Sequence, residues 1–576
     1  MLNQDQLQEL QDIVGPQWAA ADECIRDAYA VWYNSSSLNP EREVWAPRPA
    51  AVVMPKTAGE IAKVTQFCNR HDFMIKSFST GWIASSAAGS RKTILLDLKR
   101  MDKIIDIDAK NQIAVIEPYV RAIDLQTELW KQGLNVHVVS CGSNHSVLAS
   151  AAAAWGYGLS GASMGYSARN LMGLEWVTPT GEIVKFGSAG EGKGWYCMDG
   201  PGPGVRGLIR GFHGTFGSLG TFTKCGVKLY RWDGPEKVEH SGKSPRYFLE
   251  TPLPKTEFFV LTFPSKQNIC DAGYQLGEAE CNYADFRLPA FFMSMGFTDD
   301  NLTLKKIWET GLFQKVVQFA LVVCVHGHSQ REFEWKVKAL KQITKENHGL
   351  RIPLLDPPAS LLPLLKPLAQ VLGNPLALAS KIPLIQEMLD AVPIPKQTRK
   401  KMQSSMFQLL LRHVNNVQGC FRPSSCMFTS VGSFDTWDLG FEQSDFIAKI
   451  KQPAIDQGAI VADGADLGCG GTFESGHLGY LEGIGLFSSH KEESVQAVQE
   501  IVEAGAKGAV DNALGLPLGA FGGPMNELFG PHCGDYHLYI KQIKAVLDPH
   551  SACDSWAYSG PSEKAFPDEK KSFAMY

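Results

Sequence analysis

Residues 206–229, R-G-L-I-R-G-F-H-G-T-F-G-S-L-G-T-F-T-K-C-G-V-K-L, constrain this chain more than any other stretch. Glycines fall at 207, 211, 214, 217 and 220, and the pattern then alternates through Thr221, Phe222, Thr223 and Lys224. Glycine at that density removes side chains, so the backbone can approach a flat or anionic ligand directly. The alternation predicts a strand that continues the contact. A Gly-rich loop alone is of modest specificity, so its weight depends on what accompanies it upstream.

The 576 residues exceed one ordinary core, so two or more domains are expected. Hydrophobic and charged contents of 44% and 20% fit a soluble globular protein. A net charge of -5 gives no electrostatic footprint for nucleic acid. The 13 cysteines include no C-x-x-C pair, which argues against a zinc ribbon or ferredoxin-type cluster, and no metal ligand set is assigned. Reduced, buried thiols and a cytoplasmic location are expected. The first twelve residues are acidic and polar, unlike a signal peptide, and no apolar run approaches the ~18 residues of a membrane span.

Along the chain, residues 1–45 read as a helical arm ending in W-A-P-R-P. Residues 46–235 then mix short strands with separate helices. Strands are predicted at 51–54, 74–76 and 94–98, and a hairpin over 104–107 and 113–116. Thr57 and Glu60 form a capping-box pattern ahead of Ile61, Val64, Phe67 and Cys68 at helical spacing, and a second helix spans 122–131. No regular βαβ repeat and no G-x-G-x-x-G after the first strand is seen, so the class is α+β and not a Rossmann NAD fold. Residues 236–525 form a second domain in which strands at 257–263, 318–326 and 483–488 are each followed by a helix. That order suggests a ferredoxin-like antiparallel sheet with helices on one face. Residues 352–395 interrupt it with nine prolines among leucines, read as a packed cap element, with a lid over an apolar channel or a patch for a membrane or partner subunit as the alternatives. Residues 526–576 carry a helix at 536–547 and a tail expected to pack back on the first domain.

Three small-residue segments are present: K-S-F-S-T-G-W-I-A-S-S-A-A-G at 76–89, C-G-S-N-H-S-V-L-A-S-A-A-A-A-W-G-Y-G at 141–158, and the stretch at 206–229. With P-R-P-A-A-V-V-M-P-K-T-A-G-E-I-A-K-V, I-A-V-I-E-P-Y-V and R-N-L-M-G-L-E-W-V-T-P-T-G, this order resembles the vanillyl-alcohol oxidase and p-cresol methylhydroxylase superfamily of flavoproteins. Glycolate and D-lactate dehydrogenase flavin subunits and alkylglycerone-phosphate synthase are part of that group. The resemblance covers about residues 45–230 and implies a two-part PCMH-type FAD-binding domain followed by a cap. It implies FAD held by Ser77, Phe78, Ser79, Thr80, Gly81 and Trp82 at the pyrophosphate. Pro118, Gly142, Ser143, Ser146 and Val147, with Gly217, Gly220, Thr221 and Phe222, are the implied ribityl and ring contacts. Trp82 stands where histidine-linked members carry R-S-G-G-H, so the FAD is expected to be non-covalent. The H-x-G-D-G-N-x-H motif of metal-dependent members is not matched at 476–483, and Asp554-Ser555 replaces their usual Asn-Pro near the end.

For proton transfer, His477 is the first candidate, with Tyr480 and Glu474 beside it in E-S-G-H-L-G-Y-L-E-G. His326, with His328, is a second-rank candidate, and Arg287 and Arg422 are candidate carboxylate clamps. The expected activity is an FAD-dependent oxidoreductase. It transfers a hydride from an alcohol, phenolic benzyl or 2-hydroxy acid substrate to flavin N5, and then electrons to oxygen, a quinone or a partner carrier. Two alternatives remain: redox-neutral flavin-adduct chemistry on a lipid-like substrate, and a non-catalytic flavin subunit of an electron-transfer complex. A small apolar or aromatic substrate is expected. An iron–sulfur or other electron-carrier subunit, a homo-oligomer and contact with a membrane surface are left open.

Overall fold

The structure is a computed structural model. It describes residues 2–30, 46–351, 403–414 and 427–572, apart from short gaps at 83, 141, 193, 196, 200–203, 212, 244–245, 296–299, 467, 475, 489 and 518–521. The chain forms two compact units, one of residues 1–157, 166–230 and 519–576, the other of residues 158–165 and 231–518. The Leu/Pro-rich segment 352–395 and Arg422 lie outside the described residues. Among the described residues, no helix is long and apolar enough to cross a membrane.

The first unit holds two sheets. Strands β1 (Ala19–Ala20), β2 (Ala51–Val53), β3 (Met74–Phe78) and β4 (Thr93–Asp97) form one in the order β1-β2-β4-β3. β2 and β3 both run parallel to β4. The helix Ala58–His71 joins β2 to β3 and makes a βαβ unit that the sequence reading lacked. The reason lies in periodicity: three short, largely buried strands carry no alternation, so their direction cannot be read from pattern. The helix buries Ile61, Val64, Phe67 and Cys68, the stripe expected from spacing. Thr57 caps it by accepting from the Glu60 amide at 3.1 Å. The return arm of the capping box differs, since the Glu60 carboxylate accepts from the amide of Lys56 at 2.6 Å, not from that of Thr57. The N-terminal helix Gln4–Val14 is no free arm: Leu10 and Val14 join the core of Ile61, Phe67 and Ile75.

The second sheet is antiparallel. It contains β5 (Ile104–Asp108), β6 (Ile113–Ile116), β8 (Leu171–Val177), β9 (Ile183–Phe186) and β10 (Thr221–Lys228) in the order β5-β6-β10-β8-β9, while β7 (Leu134–Asn135) stands apart from it. Its core gathers Ile116, Leu125, Leu129, Leu174, Phe222 and Cys225 under the helix Ala122–Trp130. The helix Tyr536–Leu547 and the following tail belong to this unit. Residues 552–554 run beside β3, with the Ile75 amide donating to Ala552 O at 2.7 Å and the Asp554 amide to Ile75 O at 2.8 Å.

The second unit contains two four-stranded antiparallel sheets. One pairs Ala284–Phe286, Ala320–His326, Thr256–Thr262 and Leu350–Arg351; the other pairs Cys469–Glu474, Leu478–Phe487, Met427–Thr436 and Leu516–Pro517. An antiparallel bridge between Arg287 and Gly470 joins their edges. Helices Lys266–Glu278, Gln330–Glu346 and Trp437–Asp456 cover this surface, and Leu276, Leu340, Phe441 and Leu481 share one core. The strand expected at 483–488 begins at Leu478, because Gly479, Gly483 and Gly485 blank out its alternation.

Candidate functional site

In the first unit, the loop after β3, the segment around Ser146 and the turn entering β10 line one cleft. Hydrogen bonds tie the three segments together. Pro118 O accepts from Ser79 Oγ at 3.0 Å and from Ser146 Oγ at 2.6 Å. Ser77 Oγ and Thr221 Oγ1 lie 2.8 Å apart. Ser146 also caps the helix Val147–Ala152, accepting from the Ala149 amide at 3.0 Å.

Ser77, Ser79, Thr80, Gly81 and Trp82 line the cleft from one side, and Pro118, Ser146, Gly217, Gly220 and Phe222 complete the predicted set that reaches it. Five other predicted residues stand behind this lining. Val147 points into the apolar core, and Thr221 is buried behind Ser77. The Phe78 ring lies edge-on to Tyr29, and Ser143 lends its carbonyl to the Ile123 amide at 2.8 Å. Gly142 acts by absence: a Cβ there would come within 2.7 Å of the Trp82 indole, so the glycine lets that ring lie flat against the backbone.

Several lining residues were missed, Ser150, Trp155, Phe216 and His145 among them, and His145 has the most chemical consequence. His145 is buried in the cleft wall, with Nδ1 donating to Gly142 O. That bond leaves Nε2 of the neutral ring as a bare acceptor, and Nε2 has no partner. Burial lowers its pKa to about 4, with the Gly142 carbonyl opposing the shift and His137 adding to it. The signal was present in S-N-H-S, directly ahead of the helix cap.

Two buried ammonium groups brace the glycine turn. Lys76 Nζ donates to Phe216 O at 2.7 Å, and Lys544 Nζ to Ser218 O at 2.8 Å. Desolvation lowers the Lys76 pKa to about 8, opposed by Asp554 and reinforced by Lys544, so the group stays charged at pH 7. With both flanking carbonyls held on the protein side, Gly217 between them is left to face the cleft. Lys76→Met is expected to weaken flavin binding about tenfold while shifting thermal stability little. Removing a desolvated charge roughly offsets the lost hydrogen bond. Equilibrium flavin titration beside thermal unfolding measures the two effects separately.

The second unit holds the candidate catalytic residues. Tyr480 is buried on its strand and stacks on Phe434 at 4.9 Å, and Phe434 in turn packs on Phe473. Glu474 is half-buried at the end of the neighbouring strand, and His477 is exposed in the turn between the two. Arg287 does not serve as a carboxylate clamp. It is fully buried, donating to the carbonyls of Gly468 and of Gln318 (2.6 Å) and to Asp466 at 2.9 Å. Those contacts occupy both terminal nitrogens of the guanidinium, while the main chain of Arg287 forms the β-bridge to Gly470. His326 ends the strand Ala320–His326, buried and stacked on Trp232.

Residues 49–187 match the FAD binding domain family. An uncharacterized FAD-linked oxidoreductase of Mycobacterium tuberculosis is 29% identical over 32% of this chain and 38% of its own length. The 4-cresol dehydrogenase [hydroxylating] flavoprotein subunit of Pseudomonas putida is 27% identical over 34% of this chain and 37% of its own. The chain therefore spans less than half the length of these curated relatives. Among solved structures, p-cresol methylhydroxylase with substrate bound superposes with a TM-score of 0.65 at 15% identity, covering 96% of this chain and 98% of that one. The cleft suits FAD: the side-chain-poor positions Gly81, Gly217 and Gly220 line it, beside the hydroxyls of Ser79 and Thr80 and the neutral ring of His145.

Proposed function

We propose that this chain, an FAD-linked flavoprotein of the vanillyl-alcohol oxidase and p-cresol methylhydroxylase superfamily, is a dehydrogenase or oxidase. Its substrate is a small molecule bearing an alcohol, phenolic benzyl or 2-hydroxy acid group. One observation carries the reading: the Pro118 carbonyl and the Ser77–Thr221 pair lock three side-chain-poor segments, far apart in sequence, around a single cleft. FAD, when bound, supplies a hydride acceptor at N5.

The chain's own tasks are to hold the dinucleotide, orient the substrate and take up a proton. Ser146, Ser79 and the turn at 216–220 perform the first. Tyr480 is assigned to a substrate oxygen and His477 to the proton, with Glu474 in support. The Phe434–Phe473–Tyr480 cluster provides an apolar, aromatic surface suited to a phenolic or otherwise apolar substrate.

The purified protein, kept without oxygen, is expected to lose its visible flavin absorbance with one class from a panel of 2-hydroxy acids, 4-alkylphenols and alcohols. Tyr480→Phe is expected to slow that step by ~10²–10⁴-fold while keeping the bound flavin. Admitting oxygen, or an artificial dye, then distinguishes oxidase from dehydrogenase. Failure of every class to bleach a fully loaded protein would favour redox-neutral use of the cofactor.

A further inference from the structure

Asp233, His326 and His328 come together in the second unit, and one potential ligand atom from each lies within 4.8 Å of the others. Asp233 is far upstream of the two histidines, so no motif announces the cluster. His328 Nδ1 is 2.6 Å from Asp233 Oδ2. His326 is 1% exposed and its ring is oriented by Thr256 Oγ1, 2.8 Å from Nδ1. Its other nitrogen, Nε2, is buried without a hydrogen-bond partner. A buried imidazole nitrogen with nothing to bind is costly unless something fills the position.

We propose that Asp233, His326 and His328 bind a divalent transition-metal ion of the zinc class. Two imidazoles and a carboxylate are a common three-residue donor set for zinc, with the fourth position left to water. Zinc ligands stand at ~2.0–2.2 Å from the ion, so the hydrogen-bonded His328–Asp233 pair must open slightly to admit it between them and His326. His328, with its side chain 38% exposed, has room for that movement. Side chains that would orient two of these ligands are already in place. Thr256 orients His326, and Arg231 donates to Asp233 Oδ1 at 2.6 Å, leaving Oδ2 for the ion.

The surroundings select the kind of ion. Arg231, Lys255 at 3.9 Å from Asp233, and Lys336 on the backbone carbonyl of His326 make the neighbourhood cationic. Glu332 is taken up by Lys336 and the His328 amide. Magnesium and calcium require several oxygen donors, which this site lacks. An ion that gains from nitrogen donors is the one that can compete. Bound there, it clips the Trp232–Asp233 segment to the end of the strand Ala320–His326, with the Trp232 ring walling one side. The site is independent of the flavin assignment.

The test is calorimetric titration of tag-free, chelator-stripped full-length protein with Zn²⁺. One tight equivalent is expected, weakened at least ~100-fold by His326→Gln or Asp233→Asn, with no heat from Mg²⁺. Cobalt substitution is expected to give visible absorption bands that His328→Gln alters. Among the described residues, the exposed thiols Cys24, Cys197 and Cys533 are the competing sites. Binding that survives His326→Gln but disappears on thiol alkylation, or no binding tighter than millimolar, overturns the proposal. Flavin content and circular dichroism check each variant's fold. If His326→Gln misfolds, the more exposed His328→Gln decides, with a ~10–100-fold loss expected and an unchanged affinity counting against the site.

Discussion

Gly220→Ala is expected to purify without flavin and to unfold about 2–5 kcal/mol more easily than the parent protein. Gly220 has φ +102°, a conformation that L side chains rarely adopt. A Cβ at this position would meet Val177 O at 2.3 Å and Trp176 Nε1 at 2.6 Å. Neither neighbour can yield cheaply. Val177 is paired in register with Thr221, and Trp176 Nε1 donates to Leu219 O at 2.7 Å. Backbone strain of ~1–2 kcal/mol adds to ~1–3 kcal/mol for orphaning a buried indole N–H. The displaced turn is the one that lines the cleft, so flavin is lost along with stability. Gly207→Ala is the control. It lies in the short helix Val205–Ile209 with nothing within 4 Å of a new Cβ, and is expected to be neutral or stabilising by about 0.5–1 kcal/mol. Thermal unfolding, with the ratio of flavin to protein absorbance, measures both variants. A Gly220→Ala protein that melts like the parent with full flavin would contradict the geometry.

The same pair shows how far the sequence could be read. The five glycines between 207 and 220 look alike on the page. In space, Gly207 is helical and open, Gly214 packs against Ala153 O, and Gly217 and Gly220 reach the cleft. Spacing reported that a backbone comes close to something, but not to what. The convergence of the three segments was legible, because small residues in that order have few other uses. What braces them was not. Lys76 and Lys544 are ordinary lysines in sequence, and their role depends on burial beside carbonyls 140 and 326 positions away. Asp554, a departure from the usual closing motif, accepts from the Gly89 amide at 2.6 Å and Thr93 Oγ1 at 2.7 Å, so the tail steadies the end of the first loop. In the second unit the strand–helix rhythm was readable, whereas Arg287 was misassigned because sequence does not distinguish a clamp from a core bridge. His145 was passed over for the related reason that its value lies in an unmade hydrogen bond.

Acid is expected to release the flavin and unfold the first unit between pH 6.5 and about 4, with His137 and His145 as the main cause. Desolvation lowers both pKa values from 6.5 to about 4, with the backbone carbonyls of Gly156 and Gly142 respectively opposing the shift. The folded values lie below the unfolded one, so between the two the unfolded chain binds more protons. Stability is therefore fully present above pH 6.5 and falls as the pH drops toward 4. Each histidine contributes up to about 3 kcal/mol of this loss, an order-of-magnitude figure from ~1.4 kcal/mol per pH unit. Carboxylates held low by cations, such as Asp72 beside Lys92, titrate below that window and do not produce the same slope. His145 couples the loss to the cofactor, because its ring lines the cleft and its uncharged Nε2 is a buried acceptor without a hydrogen-bond partner. Protonation converts that atom into a donor and places a charge on a desolvated ring. Flavin fluorescence followed against pH, beside proton uptake on unfolding near pH 5, gives the measurement. The parent is expected to take up about two protons from this pair, and His137→Gln and His145→Gln each to take up one fewer. A release curve centred below pH 4 and unchanged in both variants would mean that the two rings are not the desolvated neutral groups their surroundings make them.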